Sequence, residues 1–478
     1  MITNNQTQVE TLDFQKIFEN HQQTAFQWRS STTEVRSARL IKLRTWIKEN
    51  QDKIRQALWS DFKKPAAEVD LSEIFPVTSE INHTLKNLKD WMKPEGISTP
   101  LSMIGTSGKV YFEPKGTALI ISPWNFPFNL TVGPLVSALA AGCPAIIKPS
   151  ELSAATSQLI KNMVAEVFDP KEVEVLLGEA EVSKELLKLP FDHIFFTGSP
   201  AVGKLVMKAA AEHLTSITLE LGGKSPAIID ESADVNDAAG KLIWGKFVNC
   251  GQTCIAPDYI LVHESQKERL TMEMKGFLQK FYDPEFKGIE QSPDYARIIG
   301  PKHFQRLNGY LADAVSKGAN LVFGGKTEES TCYISPTILS DIKEDMAVFR
   351  EEIFGPILPI LTFSEIEEAI ALINSKPKPL ALYYFGNDVK NSKKVLEETS
   401  SGNVVINDCV LHFLHNNLPF GGVNNSGMGK AHGHAGFLAF SHEKGVLKQR
   451  VGLNNVTLLR PPYGIKAKKI IQSLIKWF

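Results

Sequence analysis

The chain has 478 residues, 43% of them hydrophobic and 22% charged, an ordinary globular composition long enough for about three structural units. Its 52 basic and 53 acidic residues leave a net charge of -1, so no strong field draws it to nucleic acid or acidic lipid. Five scattered cysteines (Cys143, Cys250, Cys254, Cys332, Cys409) do not make a disulfide framework, and neither a secretory leader nor a long apolar run is visible, which together point to a cytoplasmic protein without a membrane span.

Residues 11–93 read as helical. Between 34 and 58, Val35, Leu40, Ile41, Leu43, Trp46, Ile47, Ile54 and Leu58 fall mostly at helical spacing among charges. Pro94 and Gly96 break the pattern, and residues 101–114 read as a β-hairpin or extended arm. From Gly116 short apolar strands alternate with helices: strands at 117–122, 143–148, 173–177 and 193–197, helices at 134–141 and 151–168. The alternation resumes from Pro226 to about Asn407, and it indicates βαβ units with parallel sheets. After Arg460-Pro-Pro-Tyr-Gly464, Ile470, Ile471, Leu474, Ile475 and Phe478 share one helical face ringed by Lys466, Lys468, Lys469 and Lys476. Such a tail packs on the protein's own body or on a partner subunit, or lies on a membrane surface; a single short helix with few apolar anchors favours the first two.

The segment Phe191-Asp-His-Ile-Phe-Phe-Thr-Gly198-Ser199-Pro-Ala-Val-Gly203-Lys204 reads as strand, glycine turn and helix. A helix start exposes unpaired N–H groups and suits a phosphate, and glycine lets a ligand approach the backbone. Gly198 to Lys204 also spells the start of a P-loop, but Leu205 stands where Ser or Thr would hold Mg²⁺. A dinucleotide fingerprint G-x-G-x-x-G is absent as well, so taken alone the turn is an ordinary strand-to-helix connection. Lys148-Pro-Ser-Glu151 adds to it. It follows a strand at the end where open α/β sheets bind ligands, and Lys148 and Glu151 are suited to ribose hydroxyls. Glu151 also suits the first turn of the following helix, with Ser150 as its cap.

Cys254 ends the run Phe247-Val-Asn-Cys-Gly-Gln-Thr-Cys254. A lone cysteine among apolar residues is usually a small buried hydrophobe, and Cys250 brings no histidine or paired cysteine that would make a metal site. Glu220, between two leucines and ahead of Gly222-Gly223, is placed for semi-burial, which raises a carboxylate toward the range of a general base. Asn125 lies in Pro123-Trp-Asn-Phe-Pro127, a stiff loop that would hold its amide as an oxyanion donor; capping a turn is its plainer role. A cysteine hydrolase would need a positioned histidine and leaves the Lys148 and Gly198 segments unexplained.

These stretches, with Glu351-Glu-Ile-Phe-Gly-Pro356 and Leu418-Pro-Phe-Gly-Gly422, run from about residue 110 to 445 in a single order. In that order the chain resembles the aldehyde dehydrogenase superfamily. Cys254-Ile-Ala-Pro-Asp-Tyr259, Ser426-Gly-Met-Gly429 with His432-Gly433, and Arg460-Pro-Pro-Tyr463 resemble its class 3 branch, which takes fatty and aromatic aldehydes. The resemblance implies an α/β fold of three parts. These are a Rossmann-type dinucleotide-binding domain (1–94 and 113–219), an α/β catalytic domain (220–420) and a small β oligomerisation arm (95–112 and 445–460), with a return segment at 421–444 and a basic amphipathic tail at 461–478. It implies NAD or NADP as cofactor, a small aldehyde as substrate, no metal, and a homodimer paired through the arm's strand edges.

It also implies roles. Cys254 attacks the aldehyde; Asn125 and the Cys254 N–H hold the oxyanion; Glu220 activates the water that hydrolyses the thioester. Lys148 and Glu151 hold the adenosine ribose, Ser199 the pyrophosphate beside Gly198 and Gly203, Glu352 the nicotinamide ribose, and Phe354 packs by the ring, with Leu221 and Gly222 beside the cofactor. A CoA-acylating semialdehyde dehydrogenase is the near alternative; it needs no base, and Glu220 favours hydrolysis. Asn424 stands where the family has glycine, and asparagine tolerates a left-handed backbone there. Cys250 is a candidate partner for a reversible oxidative bond to Cys254.

Overall fold

A computed structural model describes residues 13–100, 103, 105–452 and 454–477. The readings of the polar N-terminus, of Leu101, Ser102 and Ile104 in the arm, and of Phe478 in the tail fall outside the described residues. The N-terminal region forms helices Phe14–Trp28, Thr33–Glu49 and Gln51–Phe62, then Ala66–Val69, the π turn Asp70–Ile74 and Phe75–Trp91. The periodicity over 34–58 is thus cut at Asn50. Its side chain donates to the Trp46 carbonyl at 2.8 Å, satisfying an end group that the first helix leaves open.

Five parallel strands and one antiparallel edge strand make a six-stranded sheet. Its order is Gly427–Met428, Ser216–Glu220, His193–Thr197, Ala118–Ile121, Ala145–Lys148, Val173–Val175. The order reverses between Ala118–Ile121 and His193–Thr197, and the crevice beyond their carboxyl ends is where such sheets take ligands. The strands Ala118–Ile121 and Ala145–Lys148 are short and buried throughout because helices cover both faces.

A second sheet has seven strands: Asn320–Phe323, Thr337–Ser340, Ile357–Phe363, Tyr259–His263, Pro226–Ile229, Ala381–Phe385 and Asn403–Ile406. All its pairs are parallel except the first. A third, antiparallel sheet joins Glu95–Ile97, Thr106–Pro114 and Ser441–Gln449, the last of these exposed along nearly its whole length.

Two helix starts differ from the sequence reading, and carboxylates distant in the chain explain both. The helix read over 134–141 begins at Asn129, because Glu73 accepts from the Asn129 N–H at 2.8 Å. Pro134 then sits inside the helix. The helix read over 151–168 is Ala154–Val167. Asp61 accepts from the N–H groups of Ala155 and Thr156 at 2.8 and 2.9 Å, so it does the capping given to Ser150, and Glu151 lies in the preceding turn. The tail forms the helix Ile465–Trp477, with Ala467 buried and Ile475 77% exposed. Among the described residues no helix is long and apolar enough to cross a membrane.

Candidate active site

Cys254 follows a strained turn. After the helix Val235–Phe247 the chain enters Val248–Gly251, where Asn249 and Cys250 take left-handed φ values of 56° and 55°. Gly251 has φ +73°, and a β-carbon there would lie 2.3 Å from the Gly355 carbonyl oxygen, so only glycine fits. Gln252 pins the turn from below: its amide donates to the Arg297 carbonyl and its side-chain oxygen accepts from the Ile299 N–H, each at 3.0 Å. Strain held by so many bonds belongs to a site, not to a connection.

Asn125 reaches this turn from the other sheet. Its Nδ2 donates to the Gln252 carbonyl at 3.0 Å, and Asn249 Nδ2 donates back to the Asn125 carbonyl at 2.9 Å. An amide nitrogen carries two N–H groups, so one is left for an oxyanion. Glu220 ends the strand Ser216–Glu220 and is buried; neither of its oxygens has a hydrogen-bond partner in the protein. Burial pushes its carboxyl well above the usual range, and Lys430 offsets this only in part. Burial, then the charges of Glu352 and Glu220, push the Cys254 thiol up to about 12. The resting group is therefore a thiol.

Cys254, Glu220 and Asn125 open together onto a cavity of about 610 Å³, within the size range of ligand sites. Gly198, Ser199, Leu221, Gly222, Glu352 and Phe354 line it too. The helix Pro200–Ala211 starts at this wall, with the Ser199 hydroxyl accepting from Val202 N–H at 3.4 Å. A β-carbon on Gly222 would lie 2.3 Å from Glu352 Oε2, so a side chain there would fill the cradle beneath that carboxylate. Phe354 takes φ +47° and meets Trp124 edge to face at 5.4 Å. A dinucleotide fits this set: a helix start for phosphate, a carboxylate for a ribose and an aromatic wall for a ring.

Three predicted residues stand apart from that wall. Lys148 and Glu151 pair with each other at 2.9 Å at the carboxyl end of their strand, outside the lining of the cavity. Gly203 also lies off the lining. A β-carbon there would press on Leu221 at 2.7 Å, so its smallness serves helix-to-strand packing.

On the other side of Cys254 lies a narrower apolar pocket of about 70 Å³, walled by Phe126, Leu130, Trp244, Val248, Leu411 and Phe413. Glu68 is its one carboxylate. It accepts from the Asn249 N–H at 2.9 Å, and burial pushes it up to about 7. The sequence reading gave none of these residues a part in the site. They come from four separate segments, and no local spacing ties them together.

The aldehyde dehydrogenase family model matches residues 3–446. The chain belongs to the aldehyde dehydrogenase family. The dehydrogenase is 45% identical to the 4,4'-diaponeurosporen-aldehyde dehydrogenase of Staphylococcus aureus, over 95% of this chain and 96% of that one. It is 43% identical to aldehyde dehydrogenase family 3 member A2 of Rattus norvegicus, over 93% and 90% of the two chains, in keeping with the class 3 resemblance. A solved structure described as the substrate-bound state of Staphylococcus aureus AldH superposes with a TM-score of 0.92 at 43% identity, covering 96% of this chain and 99% of the other. An indole-3-acetaldehyde dehydrogenase in complex with NAD⁺ superposes with a TM-score of 0.82 at 27% identity, over 92% and 89%.

The fold is therefore that of an aldehyde dehydrogenase, and the P-loop reading falls away; Leu205 of the dehydrogenase is 64% exposed and carries no metal ligand. Among the described residues no group of three or more His, Cys, Asp or Glu side chains could hold a metal ion. Asn424 does take the left-handed backbone expected of it, at φ 53°. Cys250 is fully buried, its thiol meets the Tyr295 hydroxyl at 3.4 Å, and burial pushes it up to about 12.

Proposed function

We propose that the protein oxidises medium- or long-chain aliphatic or aromatic aldehydes to carboxylic acids with NAD or NADP, through a covalent intermediate on Cys254. The observation that carries this is one cavity sharing the Cys254 thiol, the Glu220 carboxylate and the Gly198–Ser199 turn. The apolar pocket holds the aldehyde chain and keeps water from its carbonyl. The Cys254 proton passes to water in the cavity as sulfur adds to the carbonyl carbon, so Glu220 stays free to act as base. The Asn125 amide and the Cys254 N–H steady the oxyanion. The bound dinucleotide supplies the hydride acceptor. Glu220 then takes a proton from the water that attacks the thioester, and the Cys254 sulfur leaves.

Ser199 and the helix start behind it suit the pyrophosphate, Glu352 the nicotinamide ribose, and the Lys148–Glu151 pair the adenosine ribose. The six-stranded sheet serves as dinucleotide-binding domain and the seven-stranded sheet as catalytic domain. The edge strands Glu95–Ile97 and Ser441–Gln449, with exposed Ile97 and Leu447, suit pairing with a second copy as a homodimer. Five free cysteines suit the cytoplasm.

An aldehyde panel of rising chain length and aromaticity, run with each dinucleotide and followed by nicotinamide absorbance, tests the reading. Cys254→Ala should abolish turnover while dinucleotide binding persists. Full turnover in Cys254→Ala would refute it.

A further inference from the structure

Thioester hydrolysis leaves a proton on Glu220, and with the acyl group and dinucleotide in the larger cavity that proton needs a second way out. Behind Glu220 lies a second cavity of about 40 Å³, lined among others by Cys254, Ser137, Thr197, Glu80 and His432. Glu80 projects from the helix Phe75–Trp91, and its Oε1 accepts from the Gly433 N–H at 2.7 Å, which fixes its orientation. Its Oε2 is buried and has no hydrogen-bond partner among the described residues, the same condition as both Glu220 oxygens. Three buried acceptors without partners around one space demand donors. A water needs only about 10–15 Å³ of such space, so the cavity has room for about two or three.

We propose that waters in this cavity join Glu220 to Glu80, and that Glu80 receives the proton Glu220 takes during thioester hydrolysis. The inference rests on Glu220 acting as the base. The water's oxygen bonds to the thioester carbon as one of its O–H bonds breaks toward a Glu220 oxygen. The C–S bond then breaks and its electron pair stays on Cys254. The Glu220 proton moves onto a cavity water as that chain delivers one to Glu80 Oε2. Glu80 acts through Glu220 and does not touch substrate, so it is a positioning and relay residue.

The charged and titratable groups around Glu80 suit this part. His432 Nδ1 lies 3.9 Å from Glu80 Oε2, with His412 close to His432, and burial pushes each histidine down to about 4, so neither carries charge near neutral pH. His83 is on the same helix as Glu80. Lys430 lowers the Glu220 carboxyl by its charge. Burial lifts the Glu80 carboxyl to about 7, so both its forms are present where the enzyme would work.

The test is pre-steady-state kinetics of Glu80→Gln with saturating aldehyde and dinucleotide. The first turnover, which needs no hydrolysis, should keep its wild-type rate and amplitude. Steady-state hydrolysis should fall by about a hundredfold, the low end for a proton-transfer group, and lose its rise with pH near neutrality. Glu80→Asp should restore part of that rate and the pH-dependent limb. Ser137→Val, which fills the cavity and leaves both carboxyls in place, should slow hydrolysis likewise, and it decides the matter if Glu80→Gln does not fold. Wild-type hydrolysis and pH profile in Glu80→Gln, or in Ser137→Val where that variant decides, overturn the relay. If Glu220→Gln itself shows no stall after the first turnover, the reading of the base has failed instead.

Discussion

The Asn125 side chain donates to the Gln252 carbonyl over 3.0 Å, and this bond joins a loop of the six-stranded sheet to the turn that carries Cys254. Asn125 and the Cys254 turn are thereby held at a fixed spacing, although 127 positions separate the bonded residues. A donor preorganised in this way acts on charge as it develops and needs no rearrangement.

Asn125→Ala therefore removes one oxyanion donor and a brace of the turn. The expected loss in kcat is about 10²–10³, with a smaller change in KM. Steady-state kinetics at saturating dinucleotide read it, and an unchanged kcat takes Asn125 out of the oxyanion role.

Glu220→Gln should release about one equivalent of reduced dinucleotide and then stall, because the thioester forms but lacks its base. Burial raises the Glu220 carboxyl, so the wild-type hydrolysis limb climbs with pH well above the ordinary carboxylate range. The same shift has a stability sign. A carboxyl raised in the folded state binds its proton more tightly there, so its contribution is present at low pH and lost as pH rises through the folded value. Thermal unfolding midpoints across that window should fall less steeply in Glu220→Gln than in the wild type.

Lys64 and Glu73 form an ion pair at 2.8 Å with neither side chain exposed. Glu73 also caps Asn129, and Lys64 sits 4.0 Å over the Phe126 ring, so the pair holds the loop on which Asn125 lies. Lys64→Met should cost about 3–5 kcal/mol by denaturant unfolding, because it strands a buried carboxylate. Adding Glu73→Gln should recover a good part of that loss. Equal stability of the single and double variants contradicts this account.

Gly222→Ala places a methyl group against the Glu352 carboxylate. That side chain can swing aside, so the fold should survive with an unchanged unfolding midpoint. Dinucleotide affinity should weaken by about tenfold or more, the worth of one hydrogen bond to a charged group. Fluorescence titration with NAD and NADP checks it.

The strand His193–Thr197, the turn at Gly198 and the helix beyond it were readable because strand, glycine and helix signals stand side by side in the chain. The left-handed backbone at Asn424 was readable for a similar local reason. Helix starts at Asn129 and Ala154 were not, since their caps come from Glu73 and Asp61 on distant helices. Glu68, Glu80, Trp244 and Phe413 gave no local signal; each is ordinary within its own helix or loop.

The family was legible in the chain itself: Cys254, Glu220 and Asn125 sit in short motifs that follow one another in that family's order, and their expected roles came with the resemblance. Their assembly was a matter of tertiary packing. Two sheets had to bring Asn125 to Gln252 and seal Glu220 in a space that also holds Glu80. Burial of that kind sets proton affinities and hydrogen-bond partners, and it depends on which surfaces meet, a property no run of neighbouring residues carries.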